Sequence, residues 1–378
     1  MPLGVAVLGS TGSIGRSALA VVARHPDRFR IVALAAHQRV VELEAQVARF
    51  QPELAVLADA GRASECGGRL RGGRSALLEA AAHPRADVVI NAMVGAAGLE
   101  ATLAALGAGK RLALANKESL VAGGPLVLAA LRQGGGELVP IDSEHSAILQ
   151  CLAASGQTGM RRLILTASGG PFRNRSAVEL ESVTPAEALQ HPTWEMGAKI
   201  SIDSATLANK ALEVIEGHFL FGMPYDAIEV VVHPQSIIHS MVELVDGSVL
   251  AQLGFPTMEL PILYALTHPG RIPDAGTRSF DPLAAGTLSF EPIDGVRFPA
   301  FGLGLEAGRA GGTAPAVYNA ANEVAVAGFL EGRIPFPAIA RTIERALGAH
   351  DPVAVTSLEQ VLAADQWARE LSTRTIGA

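Results

Sequence analysis

Residues 3–24 read L-G-V-A-V-L-G-S-T-G-S-I-G-R-S-A-L-A-V-V-A-R, and this stretch decides the fold. Leu3 to Leu8 is a short, continuously apolar run, as a strand buried on both faces of a parallel sheet requires. Gly9, Gly12 and Gly15 follow, and a helical pattern runs from Ser13 to Arg24. A second apolar run, Ile31 to Ala36, completes a β-α-β unit. Candidate strands continue at 54–58, 88–93, 111–115 and 137–141, with helices between them. The pattern predicts an N-terminal Rossmann-like, doubly wound parallel sheet over residues 1–141.

Beyond residue 141 the character changes. Strand-like 162–166 leads into Ser168-Gly169-Gly170-Pro171, and polar, helix-poor sequence follows to about Gly197. One helix is expected from about Ser204 to Phe221, capped by Asp203 or Ser204. Residues 229–232, 236–245 and 248–253, the last two joined across Asp246-Gly247, predict a mixed or antiparallel sheet with one hairpin. Residues 142–268 therefore read as an α+β catalytic and dimerisation domain. Residues 269–298, rich in Pro, Gly and Asp, read as a linker, and Ala-rich 299–378 as a small C-terminal helical domain.

Composition narrows the class. At 378 residues, 49% hydrophobic and 18% charged, the chain lies far from the composition of disordered proteins. A net charge of -7 argues against a general nucleic-acid binder, so any basic site is local. Two cysteines, Cys66 and Cys151, exclude a disulfide framework and fit a reducing cytoplasm. No apolar run reaches the ~18 residues of a membrane helix, and the N-terminal segment lacks the basic region of a signal peptide.

Five groups of residues could carry chemistry. The first is Gly9–Gly15, where a strand-turn-helix context brings backbone N–H groups to a pyrophosphate; a plain tight turn is the alternative. The positions after the second strand, His37, Gln38 and Arg39, hold no carboxylate for a ribose 2′-hydroxyl, and a cation there suits a 2′-phosphate. NADPH is thus favoured over NADH. The second is Asp142-Ser143-Glu144-His145: at a strand end, residues i and i+2 point the same way, so Asp142 and Glu144 can converge on a cation. An acidic helix N-terminus is the competing reading. The third is Asn209, Lys210 and Glu213, which share a helix face. The chain has four lysines, Lys110, Lys117, Lys199 and Lys210, amid abundant arginine, and two of them recur in the tripeptide Ala-Asn-Lys. An exposed Lys210–Glu213 pair is the bland alternative. The fourth is the small-residue turn after Ser168, a candidate anion nest. The fifth is His191 to Gly197, a Pro- and Gly-flanked loop around Trp194 with the look of a lid. His233 and His239, six apart on strand-like sequence, are expected on one face, His233 structural and His239 in a pocket wall.

These motifs resemble one family. G-S-T-G-S-I-G at 9–15, A-N-K-E-S at 115–119, D-S-E-H at 142–145 and A-S-G-G-P-F at 167–172 occur in its order. H-P-T-W at 191–194, D-S-A-T-L-A-N-K-A-L-E at 203–213 and H-P-Q-S-I-I-H-S at 233–240 follow. The chain resembles the 1-deoxy-D-xylulose 5-phosphate reductoisomerases over essentially its whole length. The resemblance implies an NADPH- and divalent-metal-dependent homodimer that makes 2-C-methyl-D-erythritol 4-phosphate for isoprenoid precursors. It assigns Thr11, Gly12, Ser13, Ile14, Asn116, Glu118 and Gly197 to the cofactor, with His37, Gln38 and Arg39 departing from the family's usual residues near the 2′-phosphate. It assigns Lys117, Ser143, Glu144, Ser168, His191, Ser204, Asn209, Lys210 and Glu213 to the substrate, and Trp194 of the lid-like loop is expected beside them. Asp142, Glu144 and Glu213 match the metal ligands, and Lys117, Glu144, Glu213 and His191 stand as the catalytic set. Three carboxylates without a cysteine ligand suit Mg2+ or Mn2+. Because three carboxylates repel, neutralising one predicts equal or higher metal-free stability. Two rivals are a semialdehyde or homoserine-type dehydrogenase, which would need a catalytic Cys or Lys, and a non-enzymatic NADP-sensing regulator.

Overall fold

A computed structural model describes residues 1–155 and 159–377. The chain forms two compact units. One comprises Met1–Ser119, Leu126–Ser146 and Thr257–Arg278, the other Leu120–Pro125, Ala147–Pro256 and Ser279–Ala378.

The first unit is built on seven strands: β1 (Leu3–Leu8), β2 (Phe29–Ala36), β3 (Leu54–Leu57), β4 (Arg71–Gly72), β5 (Val88–Asn91), β6 (Arg111–Leu114) and β7 (Glu137–Pro140). Their order is β4-β3-β2-β1-β5-β6-β7, and every neighbouring pair is parallel. The expected Rossmann-like sheet is present, with β4 as an edge strand too short to show in the apolar pattern. The Ser13–Arg24 helix packs Ala18, Leu19, Val21 and Val22 inward. Strand order reverses at β1, which pairs Leu8 with Ala35 of β2 on one side and with Asn91 of β5 on the other. At such a reversal a ligand site opens beyond the carboxyl ends of the strands. The segments that start there are Gly9, His37, Ala92, Ala115 and Ile141 onward.

The boundary expected after residue 268 is not where the chain divides. The Glu259–Thr267 helix buries Pro261 through Leu266, so it needs a body on both sides, and it packs with the first unit. The following loop is tied down by Arg24, which donates to Asp274 at 2.8 and 2.7 Å and to Glu259 at 2.7 Å. Residues 257–278 therefore belong with the dinucleotide-type sheet, and the expected linker splits at 278.

The second unit holds a mixed sheet of β8 (Met160–Ala167), β9 (Ile228–Val232), β10 (Ile238–Leu244) and β11 (Val249–Leu253), in the order β11-β10-β8-β9. β10 runs antiparallel to β8 and β11, and β8 is parallel to β9. Leu163, Leu165, Ile228 and Val242 meet Ile148, Leu152 and Val214 beneath it. The polar stretch before Gly197 contains two single-turn helices, Ala177–Leu180 and Pro185–Ala188, each closed by a capping box. The predicted 204–221 helix is two helices, Ala198–Thr206 and Ala208–Phe221, broken at Leu207 with φ 58° and ψ 12°. Asp203 and Ser204 consequently sit inside the first helix and cap nothing. The C-terminal helices Pro299–Ala310, Ala314–Leu330, Pro337–Gly348 and Leu358–Ile376 follow the predicted pattern. They share one core with the earlier pair: Ile202, Ala205, Ala211 and Leu212 pack with Val317, Tyr318, Ala321 and Phe329. Helices this rich in alanine have too little apolar bulk to make a separate core, which is why they cluster with residues 147–256.

Candidate active site

The first unit presents its candidate residues at the carboxyl edge of the sheet. Gly9 has φ 83°, and a Cβ on Gly15 would stand 2.3 Å from the Gly9 carbonyl, so both positions need glycine for the turn to close against the helix. Gly12 precedes the Ser13–Arg24 helix with no side-chain cap, and the first turn holds no acid. Exposed backbone N–H groups of this kind suit a pyrophosphate. Thr11 is buried, whereas Gly12 and Ser13 are exposed and Ile14 is partly covered. His37, Gln38 and Arg39 are exposed. Arg39 Nη1 lies 3.4 Å from the Thr11 carbonyl, which Arg16 Nη1 meets at 2.6 Å. A residue the sequence reading missed, Arg62, donates to the Gln38 carbonyl at 3.2 Å and adds a second guanidinium to the 37–39 loop. Its sequence neighbourhood carries no motif, so only the fold could show it.

Asn116 caps the Lys117–Gly134 helix, its Oδ1 accepting from Ser119 N–H at 3.1 Å. Its Nδ2 donates to the carbonyls of Met93 and Gly95 and to Glu118. Buried Asn116 and Glu118 thus shape the loops around β5 and β6. Lys117, almost buried, places Nζ 2.7 Å from Asp142 Oδ2. Asp142 lies in the turn after β7, and Ser143 opens the Ser143–Ser155 helix. Glu144 is in the first turn of that helix, so the acidic helix N-terminus is the correct local description, and strand alternation is not what aims the two carboxylates. They still offer oxygens within 4.8 Å of each other. Ser143 Oγ donates to Glu144 at 2.5 Å. His145 Nδ1 lies 3.9 Å from Asp142.

The second unit assembles the rest in two groups. Glu213, 1% exposed, accepts from Asn209 and from Lys210, itself buried. The shared helix face is as the spacing predicts, but the pair is buried, which removes the exposed-pair alternative. The αL residue at Leu207 redirects the chain so that Ser204 ends one helix and Asn209 and Lys210 begin the next.

The other group centres on Ser168. Gly169 and Gly170 have φ 82° and 68°, and a Cβ on Gly170 would stand 2.6 Å from the Ser204 carbonyl. This small-residue turn therefore packs directly behind Ser204. His191 Nδ1 accepts the N–H groups of Thr193 and Trp194 at 3.1 and 3.0 Å, so the ring proton is on Nε2. Nε2 then donates to Ser168 Oγ at 2.9 Å, and Gly170 N–H donates to the same oxygen at 3.2 Å. With both acceptor positions filled, the Ser168 hydroxyl has its proton left to donate. Burial pushes the His191 pKa down to about 4. His191 is accordingly a neutral hydrogen-bond donor near pH 7. Trp194 is half-buried, its ring 6.1 Å from that of His239. Burial also lowers His239 to about 4. His233 does not share a strand face with His239: it lies in the turn after β9, Nδ1 at 2.9 Å from the Ser289 carbonyl and Nε2 accepting from Ile237 N–H. It is structural, as expected. Gly197 caps the Ala198–Thr206 helix from an exposed position. Cys151 is buried and its thiol is pushed up to about 11, which disqualifies it as the nucleophile of a semialdehyde-type dehydrogenase.

Comparison with known proteins gives one answer along the chain. Three models of 1-deoxy-D-xylulose 5-phosphate reductoisomerase match: the enzyme's own over residues 5–124, its C-terminal domain over 138–221, and a second C-terminal domain over 253–371. A curated relative from Methylobacillus flagellatus, named 1-deoxy-D-xylulose 5-phosphate reductoisomerase, is 54% identical over 97% of this chain and 95% of its own. The reductoisomerase of Zymomonas mobilis, solved with NADPH, is 45% identical with TM-score 0.92, covering 100% of this chain and 99% of that one. A reductoisomerase solved with NADPH, fosmidomycin and magnesium is 41% identical with TM-score 0.94, covering 99% of this chain and 98% of that one.

Proposed function

The chain belongs to the 1-deoxy-D-xylulose 5-phosphate reductoisomerase family, and from that membership we propose which residues perform the family's reaction here. The enzyme rearranges and reduces 1-deoxy-D-xylulose 5-phosphate to 2-C-methyl-D-erythritol 4-phosphate, using NADPH and a divalent metal. The observation that carries the residue assignment is that each unit has already brought its own polar residues together: Lys117 with Asp142, and Asn209 and Lys210 with Glu213.

Asp142, Glu144 and Glu213 are the metal ligands in this reading. Their chemistry fits: carboxylate oxygens alone suit a hard ion, Mg2+ or Mn2+. Such an ion, when bound, polarises adjacent carbonyl and hydroxyl oxygens and stabilises charge developing as the carbon skeleton rearranges. The hydride that reduces the rearranged aldehyde would come from NADPH held by the first unit. Gly12, Ser13 and Ile14, with the backbone at Thr11, receive the pyrophosphate, and Arg39, with His37 and Gln38 beside it, faces the 2′-phosphate. Asn116 and Glu118 hold the neighbouring loops, and Gly197 closes the cofactor side. Ser168, through the proton left to it, donates to the substrate phosphate together with Ser204, Asn209 and Lys210. Their work is orientation, which fixes reacting atoms within a few tenths of an ångström. His191 sets the Ser168 hydroxyl and stays neutral. Trp194 covers the bound sugar and excludes water, while Lys117 and Ser143 hold substrate oxygens beside Glu144.

The same reading takes the protein as a cytoplasmic homodimer, with the substrate residues of 147–256 supported by the C-terminal helices that share their core. Two cysteines in 378 residues support a reducing compartment. Among the described residues no helix is long and apolar enough to cross a membrane. NADPH consumption with 1-deoxy-D-xylulose 5-phosphate, with and without Mg2+ or Mn2+, tests the whole assignment. Turnover should require both sugar phosphate and metal; metal-independent oxidation, or none, would refute it.

A further inference from the structure

The Ala198–Thr206 helix carries two charges, and each sits at the end of the helix that repels it. Lys199 is in the first turn, beside the positive end of the dipole, and Asp203 is in the last, beside the negative end. Lys before Asp at i,i+4 is also the weaker order for stabilising a helix. The pair does not exist to make this helix. Yet it is closely built. Lys199 Nζ lies 2.6 Å from Asp203 Oδ2, and the Asp203 side chain is 1% exposed. From the other side Asn322 Nδ2, wholly buried in the Ala314–Leu330 helix, donates to Asp203 Oδ1 at 2.8 Å. An amide and an ammonium on opposite oxygens leave this carboxylate a single orientation.

What the pair stands between explains it. Lys199 follows the His191–Gly197 loop by two residues. Asp203 precedes Ser204, whose carbonyl backs the Ser168–Gly170 turn. We propose that Asp203 is a positioning residue for substrate. Fixed by Asn322, it holds Lys199, and through it the return of the Trp194 loop, in register with Ser204 and Ser168. This rests on the function proposed above, so the unaltered chain is assayed first; absent metal-dependent turnover sinks that function, and the pair is then judged by the Trp194 emission change on adding the sugar phosphate, which needs no turnover.

The test is the double variant Lys199→Met/Asp203→Asn in the full-length chain, which removes both charges and leaves an amide to meet Asn322. Trp367→Phe in a parallel pair of proteins leaves Trp194 as the sole tryptophan. The melting temperature should hold within about 2 °C or rise, because both lost charges oppose the dipole. KM for the sugar phosphate should rise about tenfold or more, as expected of substrate groups set off position, with a smaller loss in kcat. NADPH affinity should fall far less than KM rises, since Gly197 is the one cofactor position in this loop, and the Trp194 emission change on adding 1-deoxy-D-xylulose 5-phosphate should be lost. A native KM with a native emission change overturns the proposal. So does a lowered melting temperature with equal losses toward NADPH and sugar phosphate, which would make the pair merely structural. Asp203→Glu, which keeps both charges and moves the carboxylate by one methylene, should show the same selective rise in KM; a native KM there also overturns it.

Discussion

Glu213 shows how one residue's role and its surroundings pull in different directions. Its carboxylate, 1% exposed, faces Asn209 and the buried Lys210. Glu213→Gln keeps the shape but removes one charge from the proposed metal ligands. Metal affinity should fall more than about 100-fold, the upper range for losing even an outer-shell partner, while NADPH affinity holds. Titrating Mn2+ against turnover reads the first, and cofactor fluorescence the second. Repulsion among three carboxylates alone predicts that the metal-free protein gains stability. The buried Lys210 reverses that sign, because its ammonium loses the Glu213 carboxylate to which it donates. Metal-free stability should drop by about 1.5–3 kcal/mol, the worth of a hydrogen bond to a charged group, as read by denaturant unfolding. Arg39 poses a subtler question, since a second guanidinium, Arg62, attends the same loop. Arg39→Asp should weaken NADPH more than NADH, as measured by competitive titration; equal losses would place the 2′-phosphate elsewhere.

At the scale of an element, the break at Leu207 is what aims Ser204, Asn209 and Lys210. A non-glycine αL residue carries a strain of about 1–3 kcal/mol. Leu207→Gly would relieve it. But Leu207 is buried among Ile202, Ala211 and Leu212, and truncating a buried leucine costs about 2.7–5 kcal/mol. The packing loss wins, so the variant should be destabilised by about 1–3 kcal/mol in chemical denaturation, with stability equal to or above native ruling out this account. The periodicity of 203–221 could not reveal the break, because apolar residues continue through it at helical spacing. The dinucleotide-type loop was legible for the opposite reason: strand, three glycines and helix leave few alternatives.

At the scale of the molecule, β11 is an edge strand with Val249 and Leu253 exposed. An apolar edge of this kind invites pairing with a second copy. Light scattering at micromolar concentration should give a dimer, and Val249→Lys should weaken it; a native monomer would refute the pairing. The grouping of segments is also a whole-molecule property. Residues 257–278 join the first unit through the apolar Glu259–Thr267 helix and the Arg24–Asp274 pair, 250 positions apart. Nothing local to either residue announces the other.

The sequence by itself determined the parallel sheet, the glycine turn, the hairpin and the helical C-terminus. Those features are written in patterns shorter than about 20 residues, where hydrophobic period and turn chemistry act directly. Tertiary structure alone decided the αL break at Leu207, the burial of the Lys210–Glu213 pair, the neutral His191 aimed at Ser168, and the hold of Asn322 on Asp203. Each depends on which distant side chain fills the space beside it, and burial, not sequence spacing, sets the strength of a charge or the tautomer of a ring.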